Sequence, residues 1–273
     1  MLIRDDGDSW TAIGQPAHAW LAGQVAQAWA PRLDDDVVLA IEQHDVPWMG
    51  WDRRPPLHAE GRRAAAFFEA PAGPRLELWR HAADRLVAQS PYAALVVSLH
   101  ATNIHTRYAE PSARPEAFLA EQRADQDRLL GLLAREGITR ELAEHDADLL
   151  FCLDALSLTL CHGWPARELP SFDGRTIRVE PTAPDEATLD PWPLTPNELT
   201  VSVHARRFTE RFDDEAALHD ALDAAVYHRL TWRLRPAKRG SQHLAREPGA
   251  ASGHPDSALR VATINSTDPH LRR

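Results

Sequence analysis

The chain has 273 residues, 44% of them hydrophobic and 26% charged, with a formal net charge of -10 at pH 7. That is enough for one large domain, or one domain with an appendage, and for a substantial core. The acidic balance argues against nucleic acid and anionic membranes, which reward a basic face, and leaves a small molecule as the expected partner.

Lys238 is the only lysine, so any anion clamp must use guanidinium groups, and the body of the fold has no Schiff-base lysine. From Met1 to Asp6 there is no basic region followed by an apolar run, and no stretch approaches the ~20 apolar residues that span a bilayer. A cytoplasmic location is therefore expected. Residues 1–14 read as a small hairpin: Leu2 and Ile3, a turn through Asp5, Asp6, Gly7 and Asp8, then Trp10 to Ile13. A helix follows with Pro16 at its first position, runs to about Ala30, and sets His18, Leu21, Ala22, Val25 and Trp29 on one stripe. His18 thus faces inward near the helix start.

Pro31 ends that helix, and Asp34 to Asp36 cap the next, with negative charge where the helix dipole favours it. Along Asp36 to Asp45, His44 lies under Val37 and Ile41 and Asp45 under Val38 and Ile41, so both polar groups continue the buried face. A histidine and a carboxylate aimed at a core are costly unless paired, and a bound cation satisfies both. The same dipeptide recurs twice. His219-Asp220 sits beside an acidic amphipathic stretch and reads as solvated, and His145-Asp146 lies in the polar first turns of its helix.

Val46 to His58 reads as a loop from its Pro and Gly content. Trp48, Trp51, Arg53 and Arg54 there form either a substrate wall that stacks a ring and clamps an anion, or a hydrophobic cluster that pins the loop. A helix over 75–89 carries Leu78, His81, Ala82 and Arg85 on one stripe, and Ser90-Pro91 breaks it. The run from Tyr92 to about Arg107 puts Val96, His100 and Asn103 in line. A lone histidine on such a face is more often structural than functional.

Residues 114–136 read as a charged amphipathic helix with Phe118, Gln122, Leu129, Leu132 and Leu133 inward, ended by Gly137. Asp148 to Cys161 is apolar nearly all round, and Asp154 is its only ionisable carboxylate apart from the capping end. Unpaired there, it would cost several kcal/mol or be protonated. Cys152 and Cys161 lie in the same helix roughly 13 Å apart, too far for a disulfide, and read as buried thiols. From Gly163 the pattern changes to strands at 176–180, 186–189 and 198–208, a helix over 213–225 and a last strand over 226–235. Three regions are expected: a helical metal-binding core with its hairpin over 1–165, a strand-rich appendage packed on it over 166–236, and a disordered tail over 237–273.

His18, His44-Asp45 and Asp154 each stand on the buried stripe of a separate helix, so two imidazoles and two carboxylates can converge inside a bundle. This order is similar to that of the HD-domain superfamily of metal-dependent hydrolases. The resemblance implies a mainly α, HD-domain-like helical bundle with an N-terminal β-hairpin and a small strand-rich C-terminal portion. It implies a divalent metal ion held by His18, His44, Asp45 and Asp154, and that mixed nitrogen and oxygen ligand set suits Mn, Fe, Mg or Zn. Members with two metals carry further histidines in the interval occupied here by His81 and His100, with His105 in reserve. One of these then binds a second ion, orients substrate or acts as general acid.

The phrases Gln15-Pro16-Ala17-His18-Ala19-Trp20, Glu42-Gln43-His44-Asp45, Ser98-Leu99-His100, Leu153-Asp154-Ala155-Leu156-Ser157 and Pro191-Trp192-Pro193 more closely resemble a bacterial family known only as a domain of unknown function. That resemblance covers residues 1 to about 236. Where many HD phosphohydrolases follow the pair with a small residue and a lysine, this chain has Val46-Pro47-Trp48. The resulting expectation is a metal-dependent hydrolase acting on a small phosphorylated or anionic substrate, with Arg53, Arg54 or Arg80 and the two tryptophans contacting it. Two alternatives stand beside it: a non-catalytic ligand-binding or regulatory protein on the same scaffold, and an iron-dependent oxygenase. Oligomeric state is left open.

Overall fold

The computed structural model describes residues 1–107 and 114–238. The expected disordered tail, beyond its first two residues, lies outside the described residues.

In chain order the elements are β1 (Leu2–Asp5), β2 (Trp10–Ile13), α1 (Gln15–Gln27), α2 (Asp35–Gln43), α3 (Met49–Arg53), β3 (Leu57–His58), β4 (Arg63–Ala64), α4 (Ala72–Arg80), α5 (Pro91–Arg107), α6 (Glu116–Leu133), α7 (Arg140–His162), β5 (Arg167–Glu168), β6 (Arg178–Ala183), β7 (Glu186–Asp190), β8 (Leu199–Phe208), α8 (Glu215–Ala224) and β9 (His228–Pro236). Side-chain caps start four of the helices, with Ser90 accepting the Ala93 N–H at 3.0 Å ahead of α5. Asp34 accepts the Asp36 N–H at 3.0 Å, Thr139 the Leu142 N–H at 3.2 Å and Asp214 the Ala217 N–H at 2.8 Å.

A mainly α, HD-domain-like bundle with a small strand-rich portion is not what forms. The described residues are about 50% helix and 21% strand, and seven of the strands join in one mixed sheet ordered β1-β2-β8-β9-β7-β6-β5, while β3 and β4 pair separately. Neighbours run antiparallel except β7 and β9. The hairpin explains the difference. Every residue of β2 is buried, so it cannot lie as a ribbon on a helical surface. Its outer edge pairs with β8 from Trp10↔Phe208 to Ile13↔Ala205. Leu2 and Ile13 enter the main core with the helices, while Trp10, stacked on Phe208 at 4.4 Å, enters a second core with Phe212, Leu218 and Leu222. Termini far apart in sequence thus share one sheet.

Helix α1 lies between this sheet and the remaining helices, packing on β8, α2 and α7, while α5 packs on α2, α6 and α7. Close approach of α1 to α2 depends on Gly23, where a Cβ would stand 2.1 Å from Cγ of Glu42. Two segments differ from the expected elements. The 46–58 loop folds into a single 3-10 turn, Val46–Trp48, followed by α3. Helix α4 stops at Arg80, with His81 as its C-terminal cap, instead of running to 89. Among the described residues no helix is long and apolar enough to cross a membrane.

Gln24 joins α1 to the sheet. Pairing with β2 stops at Ala205, leaving the earlier part of β8 with an open edge. There the Gln24 amide donates to the Ser202 carbonyl at 2.9 Å and accepts the Ser202 N–H at 3.0 Å. The side chain does what a neighbouring strand would do. Replacing Gln24 with Ala should cost roughly 1–2 kcal/mol in chemical denaturation. Exchange of the Ser202 amide should also quicken, and unchanged exchange would refute this role.

Candidate metal centre

Four helices aim side chains at one buried point. His18 comes from the first turn of α1, His44 from the end of α2 with Asp45 next to it, His100 from the middle of α5 and Asp154 from the middle of α7. None of the five is more than 9% exposed. The local chain path explains how His44 gets there. It keeps helical angles, φ -56° and ψ -33°, so its Nδ1 reaches back to donate to the Ile41 carbonyl at 2.8 Å. Asp45 leaves the helix and Pro47 stops it from continuing. Asp52 of α3 then accepts the Gln15 N–H at 2.5 Å, tying the segment after the pair to the start of α1.

Asp154 is the hub. Its Oδ1 lies 3.6 Å from both His18 Nδ1 and His44 Nε2, and its Oδ2 lies 3.7 Å from His100 Nε2. Asp45 Oδ2 stands 2.6 Å from His18 Nε2 and 3.9 Å from His44 Nε2. The Ser157 hydroxyl lies 2.9 Å from His18 Nδ1 and 2.8 Å from the Asp154 carbonyl, so it can donate to either. Among the described residues, His18, His44 and Asp154 each present one ligand atom within 4.8 Å of the others. Ligand atoms about 2.0–2.2 Å from a shared ion stand roughly 3–3.6 Å apart, close to the 3.6 Å that separates Asp154 Oδ1 from each of the two imidazoles.

The ionisable groups of the cluster shift in opposite directions. Burial works against charge on His44, but the charge of Asp45 and then the nearby Asp154 carboxylate outweigh it and raise its pKa to about 9. Burial likewise pushes Asp154 up, and His44, His100 and His18 together bring it down to about 2. His100 is pushed down to about 3 by burial and then by the charge of His44. Its two ring nitrogens, His44 Nε2 and Asp45 Oδ1 are all buried without a hydrogen-bond partner. Because His44 Nδ1–H is committed to Ile41, a neutral His44 turns its Nε2 lone pair toward a carboxylate. Two acceptors facing each other need a proton or a metal ion between them. The donor set fits a divalent ion.

The centre opens into a cavity of about 60 Å³ whose wall includes Trp48, Phe67, Trp79 and Phe151, with Gln15, Arg75 and His105 among its polar lining. A family model described as a protein of unknown function, DUF3891, matches residues 1–210. The chain belongs to the DUF3891 family. No curated protein and no solved structure matches it.

In this DUF3891 member the residues singled out from sequence separate into two sets. His18, His44, Asp45, His100 and Asp154 converge, and Trp48 lines the cavity with Trp51 edge-on behind it at 6.2 Å. His81 does not join them. It is 54% exposed and sits against Glu77 and Asp84, because α4 ends one residue before it. Arg53 and Arg54 are exposed and do not line the cavity. Arg54 is held instead by both oxygens of Asp223 at 2.7 and 2.8 Å, and Arg80 is paired with Glu77 and Glu121. The missed residue is Arg75. Its spacing of four from Trp79, which places both on one helical face, was the available signal.

Linkage gives this cluster a pH signature. The raised His44 pKa contributes stability that is full below its unfolded value near 6.5 and is lost as pH rises through about 9. The lowered Asp154 pKa contributes stability that is present above 3.8 and lost as pH falls to about 2. In chelator-treated protein the stability gap between wild type and His44→Gln should therefore be widest below pH 6.5. It should narrow toward pH 9, since each tenfold difference in proton affinity between the folded and unfolded chain is worth about 1.4 kcal/mol. Denaturation curves at pH 6, 7.5 and 9 would test this, and a gap that widens with pH would contradict it.

Proposed function

We propose that this DUF3891 protein is a metal-dependent hydrolase of a small molecule, with His18, His44 and Asp154 holding a divalent ion. The observation that carries the reading is His44 Nε2. It is buried, without a hydrogen-bond partner, fixed in orientation by Ile41, and 3.6 Å from a carboxylate that three imidazoles surround. The order of these residues along the chain, similar to that of HD-domain hydrolases, supports the ligand assignment and the reaction class. The sheet has no part in that resemblance.

A divalent ion in such a site lowers the pKa of its water and polarises an ester oxygen. The remaining roles fall to protein groups. Asp45, through its 2.6 Å contact with His18 Nε2, holds that ring in one tautomer and aims Nδ1 at Asp154, as carboxylates behind metal-ligating histidines do. Ser157 gives up Nδ1 by donating to the Asp154 carbonyl instead. His100 stays neutral at physiological pH, so it serves as a fixed hydrogen-bonding partner or further ligand, not as a store of protons. Trp48, Phe67 and Phe151 exclude water from the cavity and offer flat apolar surface. The mixed nitrogen and oxygen donors suit Mn, Fe, Mg or Zn.

Elemental mass spectrometry should find near-stoichiometric metal in wild type and none in folded His44→Ala or Asp154→Ala. Asp45→Asn, which loosens His18 without removing a ligand, should weaken binding by about 10–100-fold. Turnover of p-nitrophenyl esters should follow metal content across the series. Wild type that retains none of Mn, Fe, Mg or Zn after reloading would overturn the proposal. Bound iron that consumes oxygen without ester turnover would move the reaction to oxidation.

A further inference from the structure

The cavity beside the histidines holds an arginine, Arg75, that has no ion-pair partner among the described residues. Arg75 lies in the first turn of α4 and lines the cavity together with Trp79, one turn further on. Its Nε is buried without a hydrogen-bond partner, and its guanidinium forms no ion pair among the described residues. Other arginines near acids are paired: Arg54 with Asp223, Arg63 with Glu69, Arg80 with Glu77 and Glu121, and Arg140 with Asp127. Burial alone pulls the Arg75 pKa below its usual value, although an arginine remains charged. A half-buried guanidinium without a counter-charge is an unfavourable arrangement that a bound anion would relieve.

The surroundings of Arg75 add to this. His105 also lines the cavity, is 5% exposed, and has an Nε2 with no partner. Burial first, and the charge of Arg75 second, hold its pKa down to about 4, so it is a neutral hydrogen-bonding group next to a cation. The carboxylates of the cavity lining, Asp45 and Asp154, are engaged with the histidines. The rest of the wall is largely aromatic.

We infer that the substrate is a small molecule with a flat or apolar body and one terminal anionic group, phosphate or carboxylate, and that Arg75 receives that group and determines specificity for it. This rests on the proposal that the cavity is the substrate site, but it does not require that a metal be bound there.

The test is calorimetric titration of the full chain with inorganic phosphate, phenyl phosphate and benzoate, with chelator and again after loading with Mn²⁺. Wild type, Arg75→Gln, Arg75→Lys and His44→Ala would be compared, each checked for folding by circular dichroism. At least one probe should bind wild type, bind Arg75→Gln about tenfold more weakly or worse, and bind Arg75→Lys in between. Preference for phenyl phosphate over benzoate assigns a phosphate ester, and the reverse assigns a carboxylate. Binding that survives in metal-free His44→Ala and still depends on Arg75 upholds the inference even if no metal is ever found. Equal binding by wild type and Arg75→Gln, or no binding of any probe by wild type in either state, overturns it.

Discussion

One carboxylate in an apolar helix sets the terms for the rest of the molecule. Every residue of α7 from Leu149 to Cys161 is buried, and Asp154 is the charge in the middle of that run. Left alone it would take up a proton, since moving an unpaired carboxylate out of water is far more costly than protonating it. Instead its pKa is lowered, which requires positive charge from outside the helix. The charge comes from His44 at the end of α2, whose pKa is raised, and the rings of His18 from α1 and His100 from α5 complete the surround. The registers of three helices against α7 are therefore constrained by a single polar contact set, and slipping any one of them by a turn would leave the acid unbalanced.

The sheet answers a second requirement, that α1 be held on its far side. Helix α1 turns His18 toward the centre and Gln24 toward Ser202 of β8, so one helix is fastened to the sheet and to the cluster by polar contacts six residues apart. Residues at that separation lie on different faces of a helix. The strand content is thus not an appendage to a helical site. It is the floor on which the helix carrying one of the proposed ligands rests.

Elements were legible in the sequence because apolar periodicity is local: the hairpin, most of the helices and the strands at 178–183, 186–190, 199–208 and 228–236 follow it closely. The pairing of β2 with β8 was not legible, because nothing in Trp10 to Ile13 states that its partner lies almost two hundred residues on. Complete burial of that short strand is the physical trace of the missing partner, and alternation read one strand at a time does not reveal it. At the site, facing predicted His18, His44, Asp45, His100 and Asp154 correctly as inward residues. It failed for His81, since a helix that ends at Arg80 no longer carries the next residue's stripe; Arg54, read only as part of a loop, has its partner Asp223 remote in sequence. Arg75 was overlooked because a charged residue at a helix start is ordinarily solvated.

The three His-Asp pairs of this chain show what separates a candidate ligand from a coincidence. His145 bonds the neighbouring Asp146 at 3.0 Å and is half exposed, so water and an adjacent carboxylate already satisfy it. His219 spends Nε2 on the Pro55 carbonyl at 2.9 Å and serves to pin α8 to the segment after α3. His44 alone of the three commits one nitrogen to a carbonyl within its own helical turn and leaves the other buried and unanswered. The first contact fixes the ring and the second creates the demand. The dipeptide does not carry the chemistry. What carries it is a helix that ends at the right residue beneath a neighbouring helix whose buried acid needs a cation.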